Sequence, residues 1–214
     1  MKLVIIEPLG VQKEQLLKIA EEKLSKDVEI VYYDTRVTDT ETLIERGKDA
    51  DILVVANLPY YITTPIIMRL IESNLPFQSL VMMMQKEVAD RFYAKVNTKD
   101  YNALSVITQY RCEVSPVMKV PKNVFMPKPN VDSAVLQFRF KQRNENIEEE
   151  VFFEMVKACF KQRRKTMLNN FGEYLQDKAK AMALLKQANI DPKRRGESVS
   201  LAEFLGLYEV MRNE

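Results

Sequence analysis

The chain of 214 residues contains no histidine. That absence excludes Ser-His-Asp and Cys-His catalysis and any histidine-ligated metal. Cysteine is scarce as well: Cys112 and Cys159 stand far apart in periodic segments, which predicts two buried free thiols. No apolar run approaches the length that spans a bilayer. Met1 leads into a strand-like pattern without a basic, apolar and small-residue leader. The expectation is a cytoplasmic protein with no membrane and no metal. Any chemistry is left to amides, carboxylates, aromatics, lysines or a borrowed cofactor.

What is present is an ordinary globular composition, 46% hydrophobic and 29% charged. The length allows one large domain, or one domain with a small appendage. A net charge of +2 does not announce nucleic acid by itself, so the distribution of charge decides.

Strand-like runs at Lys2 to Glu7, Val28 to Tyr33 and Asp51 to Ala56 alternate with helix-spaced apolar positions such as Val11, Leu16 and Leu17, then Leu43 and Ile44. That alternation predicts β-α-β units and a parallel sheet. Thr64 followed by Pro65 reads as a helix start. Leu80 to Met84 reads as a strand; Lys86 to Ala94 and Asn102 to Tyr110 read as helices. Glu113 to Val120 and Val131 to Phe140 bracket the loop PKNVFMPKPN and predict an antiparallel edge. The polar break KQRNENIEEE then separates residues 1–141, an α/β sheet domain, from an all-helical domain over 142–214. In the latter, helices are expected over Val151 to Asn170, Lys178 to Ala188 and Leu201 to Arg212, the last with Ser200 and Glu203 as a capping box.

The stretch VVANLPYYITTP ends a buried strand abruptly in Asn57-Leu58-Pro59-Tyr60. By itself this is a strand-to-helix turn, punctuated by Pro59, with Asn57 bonding its own backbone. A second set of residues carries charge. Lys157, Lys161, Arg164 and Lys165 share about a third of the circumference of a continuous helix, opposite Phe152, Met155, Val156, Cys159, Phe160 and Met167. Such a stripe is either a solvated face or a phosphate-contacting surface. Lys193, Arg194 and Arg195 form a second cluster in the same domain, which favours phosphate. Arg163 falls on the apolar side and is expected to pair with a carboxylate or reach a groove.

With NLPY, the segments QKEVADRF, YNALSVITQY, VFMPKPNVDSAV and FKQRRKT closely resemble, in this order, the KsgA-type ribosomal RNA adenine dimethyltransferases. The resemblance runs from about Asp51 to the C-terminus. Leu58 favours this branch over the related macrolide-resistance methylases, which more often carry isoleucine there. The resemblance implies a Rossmann-like, mostly parallel methyltransferase sheet with a small all-α C-terminal domain. It implies S-adenosylmethionine as methyl donor, and small-subunit rRNA or the ribosomal subunit as partner of a monomeric chain. It further implies that Asn57 and the Leu58 carbonyl accept the protons of the adenine amine, that Pro59 fixes the turn, and that Tyr60 and Phe125 cover the two faces of the base. Without the resemblance, Phe125 reads as a loop anchor packed on the sheet.

The front end departs from that family. Its first turn, Glu7-Pro8-Leu9-Gly10, holds one glycine where close backbone approach to the cofactor calls for several. Asp34 ends the second strand and is placed to hold a ribose hydroxyl; a third strand with its own acidic end is not evident. Residues 1 to about 56 instead resemble the N-terminal segment of D-2-hydroxyacid dehydrogenases, which suggests a chimera joined at a shared strand. Glu7, Gly10, Asp34 and Asn57 are thus the cofactor candidates. S-adenosylmethionine is expected to bind weakly or not at all, and the alternative reading is an impaired scaffold that keeps the RNA surface and adenine pocket.

Overall fold

The computed structural model of the chain describes residues 2–6, 29–33, 52–57 and 60–213. Six strands form one sheet: β1 (Lys2–Ile6), β2 (Glu29–Tyr33), β3 (Ile52–Asn57), β4 (Phe77–Gln85), β5 (Cys112–Val120) and β6 (Ser133–Phe140), in the order β2-β1-β3-β4-β6-β5. The first four are parallel, and β6 and β5 add the antiparallel edge. This is a Rossmann-like sheet, mostly parallel with an antiparallel edge. β3 is built from aliphatic side chains that leave water on folding: Ile52, Val54 and Ala56 are buried. In β6 the alternation read from the sequence holds, with Ala134, Leu136 and Phe138 buried and Phe140 half-buried. β5 is the exposed edge, and it tolerates Pro116 because a register shift sets Val117 out of the ladder between Pro116 and Met118.

Seven helices are described: α1 (Thr63–Glu72), α2 (Lys86–Phe92), α3 (Ala103–Arg111), α4 (Glu149–Cys159), α5 (Met167–Leu175), α6 (Lys178–Gln187) and α7 (Leu201–Arg212). α1 starts one residue before Thr64, so Pro65 sits inside the first turn, where its missing N–H has no helical partner to lose. α7 begins on the expected capping box, with Ser200 accepting from the Glu203 backbone and Glu203 reaching back. The candidate helices between β1 and β2 and between β2 and β3 lie outside the described residues.

Compact units form from Met1–Ala89 with Cys112–Lys141, and from Asp90–Arg111 with Gln142–Glu214. The first holds the sheet. In the second, Tyr110, Phe152 and Tyr208 form an aromatic core, with ring centroids 5.1 Å apart for Tyr110–Phe152 and 5.7 Å for Phe152–Tyr208. Cys112 and Cys159 are buried and free.

One helix differs from expectation. Val151 to Asn170 is not continuous: α4 ends at Cys159 and α5 begins at Met167. The buried Asn170 amide donates to the carbonyls of Cys159 at 2.8 Å and Gln162 at 3.1 Å, satisfying acceptors that the broken helix leaves open. Thr166 caps the new helix by accepting from Asn169. FKQRRKT is therefore a turn segment between two helices, and its cations do not form a helical stripe.

Candidate functional site

β3 ends at Asn57, whose backbone pairs in register with Met83 of β4, and Met83 with Val135 of β6. Two strand spacings, about 10 Å, therefore separate the end of β3 from the start of β6. Leu58 and Pro59 lie outside the described residues, and of Asn57 only the backbone is described. Tyr60, half-buried, crosses toward β6: its hydroxyl and that of Ser133 are 2.6 Å apart. Ser133 is wholly buried and starts β6.

The loop that leads into Ser133 carries Phe125. It is braced at its base, where Asp132 accepts the Lys122 N–H on its carboxylate at 2.9 Å and the Lys86 N–H on its carbonyl at 2.9 Å. The Lys122 ammonium donates to the Asn130 carbonyl at 3.2 Å. Phe125 is half-buried, Met126 beside it is 99% exposed, and the Met126–Pro127 peptide is cis. The structure thus brings Tyr60 to the foot of the Phe125 loop. Ser133 is the residue that sequence reasoning missed; its only signal was its place in VFMPKPNVDSAV.

Glu7, Gly10 and Asp34 lie outside the described residues. Their neighbours are informative: Ile6 pairs with Tyr33 on one side and Ala56 on the other, so β1, β2 and β3 end in step. Glu7 and Asp34 follow those ends directly in sequence. Ligands of open α/β sheets bind outside such carboxyl ends.

Within the helical unit, Lys157, Lys161, Arg164, Lys165, Lys193 and Arg195 are exposed. Lys161 pairs with Glu173 at 2.7 Å, a contact that holds the glutamate below the usual carboxylate range. Arg194 is turned onto Glu203 and the Ser198 carbonyl, where it buttresses the α7 cap. Arg163 pairs with Glu197 at 3.4 Å and donates to the Lys99 carbonyl at 2.6 Å, as a cation that leaves the apolar side must. The Cys159 thiol is pushed up to about 12 by burial, so it is inert rather than nucleophilic. Among the described residues no group of three or more acids, cysteines or histidines is placed to hold a metal, and no helix is long and apolar enough to cross a membrane.

The sequence profile of the family described as Ribosomal RNA adenine dimethylase matches residues 3–212. A Ribosomal RNA small subunit methyltransferase A from Bacillus licheniformis is 44% identical over 209 residues, covering 93% of this chain and 72% of that protein. Its counterpart from Geobacillus thermodenitrificans is 47% identical over 208 residues, covering 92% and 71%. Among solved structures, a dimethyladenosine transferase from Plasmodium falciparum superposes with a TM-score of 0.76 at 20% identity, covering 99% of this chain and 90% of that one. The 23S rRNA methyltransferase ErmE gives 0.64 at 23% identity, covering 99% and 91%. The profile match runs through the front end that resembles a dehydrogenase, so the idea of two families joined at β3 finds no support.

Proposed function

Because the chain belongs to the ribosomal RNA adenine dimethylase family, we propose that it methylates the exocyclic amines of adenines in small-subunit rRNA. The observation that carries this reading is the juxtaposition of Tyr60, the last residue of NLPY, with the foot of the Phe125 loop through Ser133. The exocyclic nitrogen of adenine is a poor nucleophile because its lone pair is delocalised into the ring. The Asn57 amide oxygen and the Leu58 carbonyl accept hydrogen bonds from its two N–H groups and hold the lone pair outward. Catalysis is then mostly positioning and electrostatics, with no strong base needed. Tyr60 and Phe125 receive the unstacked base between them.

S-adenosylmethionine supplies the methyl group when bound. The in-step ends of β1, β2 and β3 support a donor site at this end of the sheet, and Glu7, Asp34 and Asn57 are the residues that would hold the donor there. The residues fit the group by their polarity; the turn fits it less well. Pro8 removes a backbone donor and Leu9 adds a side chain where glycine leaves room. Two such defects, at roughly 1–3 kcal/mol each, weaken the grip by about thirtyfold to about ten-thousandfold or more. This favours a second reading, a weakly loaded scaffold that retains the RNA surface.

The helical unit holds the RNA through exposed cations, with Arg164, Lys165, Lys193 and Arg195 in the lead and Arg194 occupied in the α7 cap. The chain acts as a cytoplasmic monomer on rRNA or the ribosomal subunit. The test is methylation of unmodified small subunits, read as N6,N6-dimethyladenosine by nucleoside mass spectrometry, alongside calorimetric titration with S-adenosylmethionine. Dimethyladenosine with micromolar binding supports the enzyme and removes the weak-donor reading. RNA binding without product, and donor binding in the millimolar range, supports the scaffold.

A further inference from the structure

From Leu80 to Met84 β4 is apolar, but its last residue, Gln85, is a half-buried amide that opens the segment QKEVADRF. β4 lies between β3 and β6; Met83 pairs with Asn57 on one side, and Gln85 pairs with Ser133 on the other. Residues in register across a sheet send their side chains to one face, as do residues two apart along a strand. Met83, Gln85 and Ser133 therefore share a face. One strand spacing across and two residues along put the Gln85 Cα about 8 Å from the Asn57 Cα. The Cβ atoms of Gln85 and Ser133 stand about 5 Å apart. Tyr60, which reaches from the end of β3 to the Ser133 hydroxyl, passes the end of β4 where Gln85 sits.

Other polar side chains around this point are committed. The hydroxyls of Tyr60 and Ser133 take each other at 2.6 Å. The Asp132 carboxylate accepts the Lys122 N–H at 2.9 Å. Further along the same face, the Gln137 amide donates to the Ser79 hydroxyl at 3.2 Å. The Gln85 carboxamide has no hydrogen-bond partner among the described residues. Packing does not call for an amide here, since Met83 on the same face is half-buried as well. A half-buried amide relies on water, and a base that covers it must replace that hydrogen bond or bind more weakly.

The chemistry of adenine supplies the match. Tyr60 and Phe125 against its two faces fix the plane of the base but leave it free to turn within that plane. Asn57 and Leu58 both act at the amine, which is a single corner. A contact to a second ring atom stops the turn and keeps the lone pair aimed. With both amine N–H groups taken, the Watson–Crick edge by which flipped bases are read still offers an acceptor, N1. A glutamine NH2 group meets that acceptor without adding charge.

We propose that Gln85 donates its amide N–H to N1 of the target adenine and so fixes the rotation of the base within its plane. The proposal rests on the adenine-methylating reading and adds a substrate contact to it. The test measures kcat/KM for methyl transfer at saturating donor on small-subunit RNA ligated from a synthetic segment. That segment carries adenosine, 1-deazaadenosine or 7-deazaadenosine at the methylated position. The parent is compared with Gln85→Leu and Gln85→Glu, both of which remove the donor and are expected to melt like the parent. On adenosine each variant is expected to lose about tenfold. The parent's preference for adenosine over 1-deazaadenosine is expected to exceed that of either variant by about tenfold; any change in the amine's own reactivity is common to all and cancels. Preference over 7-deazaadenosine is expected to be the same in all three proteins. Parent-like rates in both variants, an unchanged preference against 1-deazaadenosine, or coupling to 7-deazaadenosine instead, overturns the proposal. If Asn57→Ala still abolishes transfer in any of those cases, the methylating reading survives without Gln85. If the parent methylates no RNA, both fall.

Discussion

The hydroxyls of Tyr60 and Ser133, 73 positions apart in sequence, share a hydrogen bond of 2.6 Å. Ser133 is fixed on both sides, paired with Gln85 of β4 and Val120 of β5. A tyrosine tethered by its hydroxyl to so rigid a point has the far end of its ring held in place by the sheet. The aromatic surface beside Asn57 is therefore organised before any base arrives.

Tyr60→Phe leaves the buried Ser133 hydroxyl without this partner and is expected to lower stability by about 1–3 kcal/mol. Ser133→Ala costs less, and the double variant recovers part of the loss. Urea denaturation of the two single variants and the double variant measures the coupling. Additivity within about 0.3 kcal/mol would show that the hydrogen bond contributes nothing.

Asn57→Ala is expected to remove on the order of a hundredfold or more of the methyl-transfer rate while the protein melts as before. Normal turnover by a folded Asn57→Ala protein would sink the assignment of this amide.

Replacing Arg164 and Lys165 with glutamine should weaken binding to unrelated RNAs and flatten its salt dependence by roughly 0.7 to 0.9 for each phosphate no longer neutralised. Lys161→Gln should matter less, because its ammonium is already paired with Glu173. An equal or larger effect from Lys161 alone would mean that RNA displaces that pair. An unchanged slope in every variant would return the segment to a solvated turn.

Glu203 predicts an acid-sensitive helix start. The hydrogen bond from Arg194, then contacts from Ser200, pull its carboxyl from 4.5 to about 2 against the opposing effect of burial. The folded carboxylate is therefore the weaker proton binder, and the unfolded chain takes up protons first as pH falls. The stabilisation is complete above about pH 4.5 and is lost as pH drops toward 2. Glu203→Gln should cost about 1 kcal/mol at neutral pH and little by pH 2, measured by urea denaturation at both. An equal cost at the two pH values would rule out the ionised contact.

The sheet was legible because β3 and β6 state their environment in period-2 or continuous apolar runs, and α7 because Ser200 and Glu203 stand at capping spacing. The break after Cys159 was not, because apolar residues continue at helical spacing through Phe160 to Met167. What ends the helix is the Asn170 side chain, eleven residues on from the Cys159 carbonyl it satisfies. Of the proposed adenine site, NLPY and the Phe125 loop could be named through the family resemblance, but the bond between Tyr60 and Ser133 could not. A serine opening a strand looks the same whether or not a distant phenol meets it.

The chain passes between its two compact units three times, at Ala89/Asp90, Arg111/Cys112 and Lys141/Gln142. A single cut at the polar break therefore does not release the helical unit. A fragment of residues 142–214 lacks Tyr101, whose hydroxyl satisfies the Val199 carbonyl, and Arg111, which pairs with Glu149 at 3.1 Å. One recombination event cannot graft this unit onto another protein as a cassette, because part of it is encoded between two strands of the sheet. Its inheritance is tied to that of the sheet, and substitutions in either stretch are free to vary only within limits set by the other.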